Sequence, residues 1–235
     1  MTAKRATLVT IIGFVICFKA LAQESSLKLL AEVPLQFGIG YEGKISNRFS
    51  VALSAGVLTQ PNSTLIVDVL DAFGTDDAIT IMITDAFKFG VVGKTGVNYN
   101  FKRSYVGGFF EIIALQAGDT PRTLIESYFG TNVNSYPARR GRGQSNEVYL
   151  RLSSTLYQGG ILYGRRFPLK NKQFEIDTEI AVSANLGSKS KLTSEYRDLA
   201  TLSKEVDTEL SGYYSSYGFV PSLAVAFVYK FNKQG

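Results

Sequence analysis

The feature that most restricts this chain is a strict two-residue alternation of apolar and small or polar side chains, held over runs far longer than an ordinary strand. From Phe87 to Phe101 one face reads Phe87, Phe89, Val91, Gly93, Thr95, Val97, Tyr99, Phe101, and the other Lys88, Gly90, Val92, Lys94, Gly96, Asn98, Asn100. Period two is the spacing at which a β-strand shows opposite faces. Residues 29–41 and 49–57 repeat the scheme. So do residues 174–186, with Phe174, Ile176, Thr178, Ile180, Val182 set against Glu175, Asp177, Glu179, Ala181, Ser183. The closing run sets Phe219, Pro221, Leu223, Val225, Phe227, Tyr229 and Phe231 against Val220, Ser222, Ala224, Ala226, Val228 and Lys230.

These runs reach about 12 to 15 residues, whereas soluble strands average about 5 to 6 and bilayer-crossing strands need about 9 to 11. Aromatics stand near the ends of the apolar faces, as at Phe37 and Tyr41, Tyr99 and Phe101, Tyr229 and Phe231, where interfacial girdles form. In lipid every strand edge must be paired, so such strands have to close. The predicted fold is all-β: an antiparallel, up-and-down transmembrane β-barrel of about eight strands, with short helical segments in its long loops.

Basic turns at 43–47, 100–104 and 168–172, and long connections near 60–85, 118–145 and 188–215, give the short-turn, long-loop asymmetry of bacterial barrels. Seven strands are plain. Residues 147–169 change apolar phase around Gln158-Gly159-Gly160. Either that tripeptide is a hairpin turn, or it is a bulge in one long strand and an extra strand runs from Ser25 to Val33 with a break at Pro34. In the loops, Asp119-Thr120-Pro121 marks a helix start, with Arg122 to Phe129 helical up to Gly130; residues 190–211 read as a polar helix with leucines at 192, 199, 202 and 210.

The first residues read as an export signal occupying 1–22, ahead of a barrel domain over 23–235. Lys4 and Arg5 precede an apolar run from Leu8 to Phe18, too short for a membrane span, and Ala20-Leu21-Ala22 is a cleavage site. Losing it takes Lys4, Arg5 and Lys19 with it, which lowers the formal net charge from +5 to +2 and leaves no basic surplus for nucleic acid. The single cysteine, Cys17, lies within that signal, so the exported chain has no thiol chemistry. The expected location is the outer membrane, with lipid and the barrel-insertion machinery as partners.

The chain has no histidine, so a Ser–His–Asp site and imidazole-built metal sites are ruled out; a non-enzymatic protein without cofactor is expected. Gly38-Ile39-Gly40-Tyr41-Glu42-Gly43 matches a nucleotide-binding pattern only by accident, because a turn and a strand follow where a helix is needed. The phasing points Arg48, Lys88, Lys94, Glu111, Arg151, Arg165, Glu175, Asp177 and Glu179 into the lumen. An eight-stranded barrel is just wide enough for side chains to fill it, so these charges are expected to pair into a plug rather than line a cation path. Arg139, Arg140 and Arg142 form the densest basic stretch, a candidate contact for phosphates of surface lipid if it is not simply a solvated loop.

Phe37-Gly38-Ile39-Gly40-Tyr41-Glu42 with Ser46-Asn47-Arg48-Phe49-Ser50, Tyr163-Gly164-Arg165-Arg166-Phe167-Pro168-Leu169, and Val228-Tyr229-Lys230-Phe231 resemble the small outer-membrane barrels of Bacteroidota-type bacteria. The resemblance spans most of the mature chain and implies fold and location, not activity. The functional expectation is a barrel with a filled lumen that is structural or binds a ligand or partner through its long loops. The alternative is a narrow transporter of small or apolar solutes.

Overall fold

The computed structural model describes residues 24–58, 89–116, 122–138, 150–216 and 220–231. Eight antiparallel strands follow one another round a closed barrel. They are β1 (Glu24–Val33), β2 (Gln36–Lys44), β3 (Phe49–Leu58), β4 (Phe89–Phe101), β5 (Ser104–Gln116), β6 (Leu150–Pro168), β7 (Phe174–Ser194) and β8 (Val220–Phe231). β8 pairs back onto β1, with Ser25 opposite Phe231. The tight turns after β2, β4 and β6 gather at the end of the barrel that also holds both strand termini; we call it the turn side. The connections after β3, β5 and β7 leave from the other end, the cap side.

The strand count is resolved by the second of the two readings. Residues 158–160 lie inside β6, and the extra strand is β1, broken from β2 at Pro34. The turn is invisible in the alternation for a geometric reason. Glu32 faces Gln36 and Ala31 faces Phe37, so partners share parity and odd residues stay outward through the turn. Residues 29–41 thus look like one strand and are two.

A bulge is present, but on the partner strand. Tyr157 pairs with Gly187 and Gln158 with Asn185, which leaves Leu186 of β7 as the additional residue. One inserted residue exchanges the faces of a strand. Before the bulge Glu175, Asp177 and Ser183 are buried; beyond it Ser190, Leu192 and Ser194 are. β6 itself keeps one phase, with Leu150, Leu152, Leu156, Gln158 and Leu162 all buried. Its apolar pattern shifts because apolar side chains point inward near the cap and outward, as Ile161, Tyr163 and Phe167, nearer the turns.

The exterior is apolar on every strand: Leu29 is 64% exposed, Ile39 60%, Ile161 72% and Leu186 68%. Phe89, Val91 and Val225 point outward, while Lys94 and Glu175 are enclosed. The apolar face read from the sequence is therefore the exterior.

The cap is a second, separate core. The helix α1 (Arg122–Phe129) forms where expected and ends at Gly130, whose φ of +58° is a glycine conformation. The other expected helix begins later. β7 continues to Ser194, and α2 (Ala200–Ser216) follows. Its buried Leu202, Val206, Leu210 and Tyr214 recur every four residues and form one stripe. That stripe lies against β7 and forms one buried apolar cluster with Leu150, Leu152, Leu156 and Leu192 of the long strands, Leu58, Val92, Ile113 and Leu115 at the barrel rim, and Ile125 and Val133. Beyond Ser183, β7 no longer pairs with β8. There α2 side chains take over: Asp207 Oδ1 accepts from Ser190 N at 2.5 Å and Ser203 Oγ from Leu192 N at 3.0 Å. An otherwise open strand edge is thereby covered.

Candidate functional site: the barrel interior

The inward positions of the strands bring charge together in two groups. The one nearer the turn side centres on Lys28 of β1. Its Nζ lies 2.9 Å from Glu42 Oε2, 2.8 Å from Asp177 Oδ2 and 3.6 Å from Glu179 Oε1. Arg166 Nη2 joins Glu42 Oε1 at 2.6 Å, and Ser50 Oγ donates to the same oxygen at 2.6 Å. Tyr105 OH donates to Glu179 Oε1 at 2.5 Å, and the Tyr105 ring lies under the Arg166 guanidinium at 4.6 Å. The absence of a side chain at Gly164 makes room for that ring, since a Cβ there would sit 2.2 Å from it.

The second group, nearer the cap, is built on Glu32. Lys94 Nζ reaches Glu32 Oε1 at 2.8 Å, Ser222 Oγ donates to the same atom at 2.8 Å, and Gln36 Nε2 donates to Oε2 at 2.9 Å. Lys94 also stands over the Phe109 ring at 4.2 Å. Beside it, opposite Lys94 on the neighbouring strand, Glu111 is 0% exposed, and neither of its carboxylate oxygens has a hydrogen-bond partner. Between the groups a cavity of about 50 Å³, lined in part by Leu30, Phe109, Leu162, Ala224 and Ala226, has room for a few waters but not for a solute path. At the turn-side mouth a cup of about 650 Å³ carries the ion pairs Lys44–Glu24 and Lys230–Glu175.

Of the lumen residues expected from sequence, the structure brings Lys94, Glu111, Glu175, Asp177 and Glu179 inside. Three arginines are corrected to the outside. Arg48 lies in the turn before β3, where its Nη1 donates to Tyr99 OH at 3.4 Å. Arg151 is exposed because its neighbours Leu150 and Leu152 face the cap core rather than the exterior. Arg165 shares the outward parity of Tyr163 and Phe167 and stacks on the Phe167 ring at 5.5 Å. Lys88, Arg139, Arg140, Arg142 and the export signal lie outside the described residues.

Sequence reasoning missed the cations that hold the plug, Lys28 and Arg166, and the carboxylates Glu32 and Glu42. The signal was present: Lys28 and Glu32 share the even parity of Gln36 and Glu42, and Arg166 is the even neighbour of Arg165. Gly38 to Gly43 lies on β2, followed by a turn and β3, so the nucleotide-like pattern has no helix behind it. Among the described residues no set of three or more His, Cys, Asp or Glu side chains is placed to hold a metal ion.

The sequence matches no protein-family model and no curated protein. Solved structures that resemble the fold include CarO of Acinetobacter baumannii, at 10% identity over 90% of this chain and 99% of that one, with a TM-score of 0.38. CarO2 of the same organism gives 10% identity, coverages of 88% and 98% and a TM-score of 0.36. A major outer membrane protein from Thermus thermophilus gives 12% identity, coverages of 88% and 99% and a TM-score of 0.42.

Proposed function

We propose that this chain is a non-conducting outer-membrane barrel whose work is done by its folded cap, as a structural element of the envelope or as a platform for a ligand or partner. The membrane reading is supported by the apolar exterior. Large apolar side chains lie exposed on all eight strands, far beyond the few hundred Å² that a soluble monomer leaves open. Export by residues 1–22, assembly by the barrel-insertion machinery, and termini on the periplasmic side complete this reading; the cap then faces outward. The segments that resemble Bacteroidota-type barrels fall on strands and tight turns, in keeping with it.

The observation that carries the non-conducting reading is the double closure of the interior. The Lys28 and Glu32 ion-pair groups fill the barrel, and the α2 core seals the mouth above. The test is conductance in planar bilayers. The purified full chain, shown to be folded by its heat-modifiable gel mobility, is expected to give no steps above the lipid baseline, and a reproducible open level would refute the closure. Narrow transport has one observation in its favour, the buried carboxylate of Glu111, which has no hydrogen-bond partner in the interior. It predicts cation flux into liposomes that falls when Glu111 is changed to Gln.

A further inference from the structure

The strand registers lay the outward side chains of β3–β7 out as a lattice. One row across the barrel wall reads Phe49, Tyr99, Val106, Tyr163, Ile180. The next row towards the cap has Val97, Gly108, Ile161 and Val182. Gly108 is thus a missing tooth in a wall of large apolar groups. A Cβ built on it meets nothing nearer than 3.9 Å, so the gap is open to the outside. Around it the wall forms an apolar groove of about 640 Å³.

The turn-side end of this groove is polar and basic. Tyr99 OH accepts from Arg48 at 3.4 Å, and Tyr163 OH is 3.1 Å from Ser104 Oγ. Ser104 in turn lies opposite Arg165 across the β5–β6 pairing. Lys102 and Arg103 stand exposed in the adjoining turn. Neither Arg48 nor Arg165 is ion-paired among the described residues, and no outward carboxylate lies on β3–β6 among them. Gly108 lies four positions along β5 from Ser104, about 13 Å at about 3.3 Å per residue. That is the reach from a headgroup phosphate to the middle of an acyl chain.

From this juxtaposition we infer a binding site on the outer wall for an anionic phospholipid of the turn-side leaflet, with one acyl chain in the Gly108 groove and its phosphate at Arg48 and Arg165. The inference rests on the membrane reading above. Guanidinium forks suit phosphate oxygens, and the tyrosine and serine hydroxyls supply further donors at headgroup depth. The aromatic rim gives the chain flat walls, and among the described residues the pairing of a notch with cations that carry no ion pair marks this sector of the apolar band.

The experiment reconstitutes the full chain in phosphatidylcholine vesicles and measures the motionally restricted fraction of spin-labelled phosphatidylglycerol and of spin-labelled phosphatidylcholine. We expect phosphatidylglycerol to be preferred. The Arg48→Gln and Arg165→Gln variants should each lower the ratio by about fivefold, the worth of one interfacial arginine. Gly108→Leu, which fills an open space, should lower retention of both lipids without removing the preference. Equal retention of the two lipids by the native chain, or an unchanged ratio in both arginine variants, overturns the site while leaving the membrane reading intact. A chain that does not float with the vesicles at all overturns both. Heat-modifiable mobility confirms that each variant is folded, and either arginine variant carries the test alone if the other fails to assemble.

Discussion

At the scale of single residues, the interior is an exercise in compensating buried charge. Lys28 is 7% exposed at its side chain and answers three carboxylates on two strands. Removing one partner of such a group is costly because the charges left behind are out of water. Lys28→Met is therefore expected to lose about 3–5 kcal/mol in urea unfolding from vesicles. Glu111 presents a different case, since its carboxylate has no hydrogen-bond partner and meets only the charge of Lys94 opposite it, which Glu32 also holds. Glu111→Gln should leave stability unchanged or raise it, whereas Lys94→Met, which strands Glu32 as well, should lower it. A Glu111→Gln variant that unfolds as easily as Lys94→Met would show that Glu111 is tied into the network.

At the scale of elements, the bulge and the cap helix act together. Leu186 reverses the faces of β7, so that Glu175 and Asp177 enter the lumen below it while Leu192 enters the cap core above it. Deleting Leu186 removes only the additional residue, so Gly187 should stay opposite Tyr157 and Leu192 opposite buried Leu152. The expected result is an intact barrel with an intact cap, seen as retained heat-modifiable mobility and unchanged tryptic cutting within α2, and a loosened cap would show that the bulge itself is needed. Leu202→Ala should act on the cap directly. It opens a cavity in the stripe of α2, worth about 2–5 kcal/mol, and exposes the helix to cleavage at Lys204 without altering the barrel band on a gel.

At the scale of the whole molecule, there are two closures in series, and each is expected to suffice alone. Replacing residues 198–216 by a flexible linker removes the apolar seal but leaves the ion-paired plug. Replacing Lys28, Glu42, Arg166 and Asp177 of the turn-side group and Glu32 and Lys94 of the cap-side group together by serine empties much of the lumen but leaves the cap. Neither variant should conduct in planar bilayers, and the combination should. Conductance from either one alone would mean that the other closure is leaky. The same architecture predicts that the chain needs detergent or lipid to stay dispersed, because its exterior band is apolar on all sides.

The sequence by itself determined that strands of membrane length would close with apolar groups outside and charges inside. That follows from period two together with the length of the runs and the aromatics at their ends, and the observed placement of Phe89, Val225, Lys94 and Glu175 agrees with it, while Arg48, Arg151 and Arg165 do not. It also marked α1, because a proline at its start and a glycine at its end act locally. Only the tertiary structure decided where one strand stopped and the next began at Pro34, since same-parity pairing carries the alternation through the turn unbroken. Likewise, nothing local in Leu150, Leu152 and Leu192 tells a lipid-facing leucine from one packed under a helix. The same hydrophobicity serves either purpose, and the choice is made by α2, whose stripe shares a core with these leucines at the cap end of the closed barrel.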